Sequence, residues 1–431
     1  MNPQALELNQ TIQTNSQAVF SLLSHKGKRI FFPKKGILSQ SAQAKGKKIN
    51  ATIGAAIEDD GTPMRLASIA NEINIDPSRA FPYAPSFGRP DLRKKWKEML
   101  LEKNPTLKSK AISNPIVTNA LTHGLSICGY LFVDHEEKIT IPNPYWGNYN
   151  LIFQNGCDAE FDKFSLFETG SFNLAGLKEK LIEAPTGKKV LLLNFPNNPT
   201  GYTPSIQDVK SICDLILKSA KQGNNLVVLI DDAYFGLVYE NGIEKESIFS
   251  YLADIHENVL AVKIDGATKE DYVWGFRVGF LTFGIKGGNK ELYESLEAKT
   301  AGAVRGNISN ASNLSQSLVL SAYSSKTYKA EKDEKNKILN TRYAKVKEVV
   351  KQEKFKEYFE PLPFNSGYFM CLKLDSLLEE EKIRNILLDE FDTGVIAMPN
   401  ILRVAFSAVA EENIEELFEN IYQACKKSTK K

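Results

Sequence analysis

Short apolar runs alternate with amphipathic stretches along most of this chain. KITIP (138–142), KVLLLNF (189–195), NLVVLID (225–231), VLAVKID (259–265) and RVGFLTF (277–283) read as strands buried on both faces. Between them, Ile206–Lys221 carries apolar residues at helical spacing. This strand–helix alternation predicts an α/β fold, a mainly parallel sheet with helices on both sides. Residues 331–357 hold Lys and Glu at helical spacing. They predict a long exposed helix leading into a second, smaller domain made of 364–373, 396–409 and a C-terminal helix over 411–426. Residues 1–48 are polar and basic (HKGKR, PKKG, KGKK) and read as a solvated arm or surface helix. The tail KKSTKK is expected to fray, and the chain shows no internal repeat.

Composition narrows the class. With 431 residues, 42% hydrophobic and 25% charged, the chain can bury the cores of two or three globular domains. A net charge of +2 gives no reason to expect nucleic acid or an anionic membrane as partner. The five cysteines are odd in number and scattered, without a CxxC, so neither a disulfide framework nor a metal site is expected. The polar N-terminus lacks the apolar region of a secretory leader, and no run of about 18 apolar residues occurs. A soluble protein of the reducing cytoplasm is the expectation.

In an open parallel sheet, ligands gather at the carboxyl ends of the strands. Asn198, in FPNNPTG, follows one such end, and Asp231 closes the next strand, before Asp232, Ala233 and Tyr234. Lys269 lies four residues past the strand ending at 265. A buried carboxylate is costly unless a cation or donor meets it, and a lysine at the same edge would do so. At this level a structural ion pair fits as well as catalysis. Lys263 competes with Lys269, and Asp232 with Asp231.

Spacing adds more. Lys269 and Arg277 stand eight residues apart in GATKEDYVWGFRVG, NPTG follows one strand and DDAYFG the next. Taken in order, from about residue 50 to 403, these motifs resemble the class I aminotransferases, pyridoxal phosphate (PLP) enzymes of fold type I, and among them the aspartate and aromatic aminotransferase group. The resemblance implies a large PLP-binding domain (71–325) around a mainly parallel seven-stranded sheet. It implies a smaller α+β domain from both ends of the chain, with 1–70 as arm and part of that domain and 326–431 as its C-terminal part.

The resemblance also assigns roles. PLP would be held as an imine on Lys269, whose amine also shuttles the proton; a buried lysine with a lowered pKa is a good amine nucleophile. Asp231 would face the ring nitrogen, and Asn198 and Tyr234 the phenolic oxygen. Trp146, in NPYWGNY, would stack on the ring. Ala120, Leu121 and Thr122, before a helical pattern, would offer a helix N-terminus to the phosphate, and Arg277 a forked salt bridge. Tyr83 would reach the phosphate of a neighbouring subunit. Arg403 would take the substrate α-carboxylate, Gly54 would sit in a loop closing over it, and Arg305, from the other subunit, would meet a distal carboxylate. Three departures stand out: Ala120 and Leu121 where glycine or serine is frequent, Gly266 where a serine touches phosphate, and Tyr149 where a histidine supports the aspartate.

The function so implied is a PLP-dependent aminotransferase. It would move an amino group from an L-amino acid, aspartate or aromatic favoured, to a 2-oxo acid such as 2-oxoglutarate by a ping-pong mechanism. The active form would be a homodimer with shared sites. The same residues leave open a lyase, synthase or decarboxylase of this fold, because the cofactor carries the chemistry. A non-catalytic ligand-sensing protein is the third reading; the N-terminus has little room for the DNA-binding domain such proteins carry, and Lys269 and Asp231 are both present.

Overall fold

The computed structural model describes residues 1–33 and 36–429. Seven strands form the main sheet: β1 (Ile116–Asn119), β2 (Lys138–Asn143), β3 (Glu160–Ser165), β4 (Lys188–Asn194), β5 (Asn225–Asp231), β6 (Val259–Gly266) and β7 (Val278–Gly284). Their order is β1-β7-β6-β5-β4-β2-β3, and only β7 runs antiparallel to its neighbours. The Val, Leu and Ile runs of β4, β5 and β6 are buried on both faces, as a central parallel sheet requires. Helices α1 (Pro90–Lys103), α2 (Ala120–Phe132), α3 (Ile206–Lys221) and α4 (Lys290–Ile308) belong to this part of the chain. A capping box of Ser205 and Asp208 starts α3, whose Val209, Ile212, Cys213 and Ile216 form its buried stripe.

A long helix, α5 (Tyr328–Val349), leads to a second core with α6 (Glu380–Glu390) and α7 (Ile414–Thr429). There β8 (Phe359–Pro361), β9 (Phe369–Leu374), β10 (Ile396–Met398) and β11 (Ile401–Ala405) form an antiparallel sheet in the order β8-β9-β11-β10. Ile49–Asn50 pairs with Thr393–Gly394 and puts Ile49 and Ala51 into the same core as Leu372, Val404 and Phe418. Among the described residues no helix is long and apolar enough to cross a membrane.

One expectation changes and one pair of alternatives is decided. The charged helix ends at Val349, before a 3₁₀ turn at Glu353–Glu357, and it is not a solvated rod. Leu339, Tyr343, Val346 and Val349 recur at intervals of three and four and are buried, a stripe that the surrounding Lys and Glu obscured. The N-terminal stretch follows the surface-helix alternative rather than the solvated arm. It folds into Pro3–Asn15, Gln17–Leu22, His25–Arg29 and Ile37–Gln43. Lys26 donates to Gly156 O at 2.8 Å, Arg29 pairs with Asp158, and Gln40 exchanges two hydrogen bonds with the backbone of Ala397, at 3.1 and 2.8 Å. Lys34, Lys35, Lys430 and Lys431 of the basic stretch and tail lie outside the described residues. Residues 426–429 of that tail continue α7.

Candidate active site

Strand register gathers the polar residues. Asn194 of β4 lies opposite Asp231 of β5, Asp231 opposite Ile264 of β6, Gly266 opposite Gly279 of β7, and Val278 opposite Asn119 of β1. Past Gly266 a single helical turn, Ala267–Glu270, carries Lys269. A cavity of about 300 Å³ opens at this edge. Gly54, Ala120, Leu121, Thr122, Trp146, Asn198, Asp231, Tyr234, Lys269, Arg277 and Arg403 all line it.

Asp231 is only 3% exposed. The Tyr149 hydroxyl donates to its Oδ2 at 2.6 Å, and the Ala233 N–H donates to Oδ1 at 3.1 Å. Burial pushes the Asp231 pKa up to about 6, opposed by the Tyr149 hydrogen bond and by the charge of Lys269. Tyr149 thus gives Asp231 a neutral donor at the position where the resemblance implies a histidine.

Burial lowers the Lys269 pKa to about 8, with Asp231 opposing and the nearby Arg277 charge assisting. Its Nζ lies 5.3 Å from the Tyr234 ring centre. Among the described residues this Nζ makes no hydrogen bond or ion pair. The shift enlarges the uncharged fraction of this amine, the state a nucleophile needs. The two rival residues pair with each other. Lys263 meets Asp232, and lies 3.4 Å from Asp265; Asp232 also accepts from Ser247 Oγ at 2.6 Å. Lys263 is 1% exposed and neither it nor Asp232 lines the cavity. Theirs is the structural ion pair that the sequence left open.

At the other end of the cavity, α2 begins at Ala120, and no side chain caps it, so its first amides stay open to an anion. Ala120 (φ +61°) and Arg277 (φ +56°) both adopt the left-handed region without being glycine. Such residues cost about 1–3 kcal/mol each and cluster where a site demands them. The tight approach of β7 explains the departure at Gly266. A Cβ there would come within 2.5 Å of Val278 O and 2.8 Å of the Gly279 Cα, so a serine has no room.

Arg403 is 3% exposed, not a surface arginine. It donates to Thr52 O at 2.9 Å and to Asn198 Oδ1 at 3.4 Å, and its guanidinium lies 4.3 Å from the Phe369 ring centre. Its Nε is buried without a partner, and no carboxylate among the described residues meets it. A buried guanidinium lacking an anion is costly unless a ligand supplies one.

Two expected residues do not reach this cavity. Tyr83 is 90% exposed and Arg305 is exposed on α4. Other lining residues escaped the sequence reading: Ile37, Leu38 and Ser41 from the N-terminal stretch, Ile53, Thr268 and Phe369. Asn194 did give a signal, a polar residue closing an apolar strand. It donates to Asp231 O at 2.8 Å and accepts from the Asn198 N–H at 2.8 Å, locking the NPTG turn to β5.

These residues fit PLP on three counts: an unpartnered amine, a buried carboxylate held by a donor, and an uncapped helix start beside a guanidinium. A second guanidinium, with an orphaned Nε, suits a carboxylate ligand. The profile of the aminotransferase class I and II family matches residues 47–421. Over 248 residues the chain is 28% identical to aspartate aminotransferase 1 of Medicago sativa, 54% of this chain and 56% of that protein. Over 235 residues it is 29% identical to a probable N-acetyl-LL-diaminopimelate aminotransferase of Bacillus subtilis, 54% of each. The chain thus spans about half the length of the curated relatives it matches. An aminotransferase from Anaerococcus prevotii shares its fold, with a TM-score of 0.82 over 92% of this chain and 98% of that one at 23% identity. Because the profile runs from the strand at residue 49 into α7 and so takes in both cores and most of the cavity, the chain belongs to the aminotransferase class I and II family, whose cofactor is PLP.

Proposed function

We propose that this protein is an aminotransferase acting between an L-amino acid, aspartate or aromatic favoured, and a 2-oxo acid such as 2-oxoglutarate, in ping-pong order. The observation that carries the reading is the unpartnered Lys269 amine in a cavity that Asp231, Arg277 and Arg403 also line. PLP, when bound, supplies an electron sink that lets the substrate α-C–H bond ionise.

The chain's residues divide the remaining work. Arg277, Thr122 and the first amides of α2 hold the phosphate. Trp146 covers the ring, Asp231 keeps the ring nitrogen protonated, and Asn198 and Tyr234 donate to the phenolic oxygen. Lys269 is the attachment point, and its freed Nζ takes the substrate α-proton. Arg403 receives the α-carboxylate under the loop of Gly54, while Ile37, Leu38 and Ile53 exclude water from the mouth. Tyr83 and Arg305 serve the site of a second copy in a homodimer; their exposure is what such a role needs.

Borohydride reduction tests the reading. The purified protein should be yellow, and reduction should fix the cofactor on Lys269 in a mapped peptide. Adding an amino donor should bleach the band, and a panel of amino acids then identifies the donor. A colourless protein with unlabelled Lys269 sinks the proposal.

A further inference from the structure

No residue of α5 lines the cavity, yet its polar side chains hold the flanks of four of the segments that do. Lys332 Nζ lies 2.9 Å from Glu270 and 3.2 Å from Asp271, the two residues after Lys269. Lys335 lies 3.0 Å from Glu58, and Arg342 2.8 Å from Asp59, both just beyond Gly54. Arg342 also donates to Ser407 O at 2.6 Å, close after Arg403. Lys347 lies 2.9 Å from Glu240, downstream of Tyr234. One helix thus grips four separate site segments.

The tie beside Lys269 falls on two buried carboxylates. Asp271 is fully buried and Glu270 nearly so. Asp271 also accepts from Tyr323 OH at 2.6 Å and Tyr328 OH at 2.5 Å, and Glu270 also meets Lys103. Two carboxylates therefore face two ammonium groups. Removing one ammonium group leaves a buried negative charge uncompensated, which proteins tolerate poorly. Tyr272, next along, adopts φ +58° and donates to Asn336 of α5 at 3.2 Å. A tether of this kind fixes where the amine sits, and displacing a catalytic group by about 1 Å costs on the order of a hundredfold in rate.

We propose that Lys332 is a positioning residue for Lys269: it ties the turn carrying the amine to α5 and cancels the buried charge adjoining it. This rests on the reading that Lys269 carries the cofactor. The groups facing Lys269 are Asp231, Arg277 and Tyr234. Those facing Lys332 are Glu270, Asp271 and the Tyr328 ring, 5.4 Å away.

The test compares holoenzymes of the wild type, Lys332→Met, Lys332→Arg and Lys332→Met/Glu270→Gln. One readout is the pH midpoint of the cofactor's visible band. In Lys332→Met the midpoint should rise by about half a unit or more, because the uncompensated negative charge favours the protonated form. Lys332→Arg and the charge-balanced double variant should return it to the wild-type value. The other readout is amide hydrogen exchange. Residues 267–273 should exchange about tenfold faster in Lys332→Met and in the double variant, with β4 unchanged. Wild-type midpoint and local exchange in a folded Lys332→Met overturn the proposal. If that variant does not fold, wild-type exchange over 267–273 in the double variant overturns it instead. A wild type with no band that borohydride fixes removes the reading of the site and this proposal together. A wild type with the band, beside indifferent variants, removes this proposal alone.

Discussion

Replacing Tyr149 with Phe removes one oxygen from the interior and asks how Asp231 stays charged. Tyr149 is fully buried, and its hydroxyl is 2.6 Å from Asp231 Oδ2. The ring contacts with Trp146 and Phe153, at centroid distances of 5.4 and 6.2 Å, survive the change. A hydrogen bond to a charged acceptor contributes about 1.5–3 kcal/mol, and one pKa unit corresponds to about 1.4 kcal/mol. The Asp231 pKa, already pushed up to about 6 by burial, should therefore rise by roughly one to two units. The sign for stability follows. A carboxyl whose folded pKa lies above its unfolded value favours the fold while protonated. That contribution is present below the ordinary carboxylate range and is lost as pH rises through about 6. In the variant apoenzyme the decline should extend to higher pH. The assay is PLP binding to apoenzyme, followed by tryptophan fluorescence from about pH 5 to 9, with melting temperatures over the same range. At neutral pH the affinity should fall about ten- to a hundredfold, with the binding midpoint displaced upward. In an Asp231→Asn background the same substitution should matter little, since its partner is already neutral. A folded variant with wild-type affinity and midpoint would show that Tyr149 does not sustain the charge of Asp231.

Two further outcomes probe the ends of the cavity. Arg403→Lys loses the planar fork in a site where Nε is already orphaned, so KM for the amino donor should rise about a hundredfold while PLP affinity holds; equal losses in both would remove its carboxylate role. Ala120→Gly relieves a residue at φ +61° and, net of the added chain entropy, should raise stability by about 0.5–1 kcal/mol in urea unfolding; a destabilised variant would mean the buried methyl group packs usefully.

Much of the fold was legible because each central strand is a short apolar run bounded by polar residues, and α3 has an unbroken apolar stripe. β5 and α3 occupy the stretches that the pattern marks. The charged helix was less legible. Its buried stripe is thin, and its ion pairs are with residues distant in sequence, such as Glu58 and Glu270. For the N-terminal stretch the same cause left a solvated arm and a surface helix undivided, and the structure shows helices. Its polar composition describes the side facing water and says nothing of Gln40 bracketing Ala397.

The sequence by itself determined the family and its cofactor, since Lys269, Arg277, Asp231 and the NPTG turn keep an order and spacing that chemistry restricts. On the strand pattern alone Lys263 rivals Lys269 and Asp232 rivals Asp231, and the choice of Lys269 and Asp231 rests on the step to Arg277 and the resemblance. Adjacent residues leave a strand in opposite directions, and only the folded sheet shows which side opens to the cavity. There the pair that meets, Lys263 and Asp232, is sealed among its neighbours. The pair that does not neutralise itself, Lys269 and Asp231, is left at the edge where a ligand can enter. Desolvation and distance, both properties of the tertiary structure, made that choice.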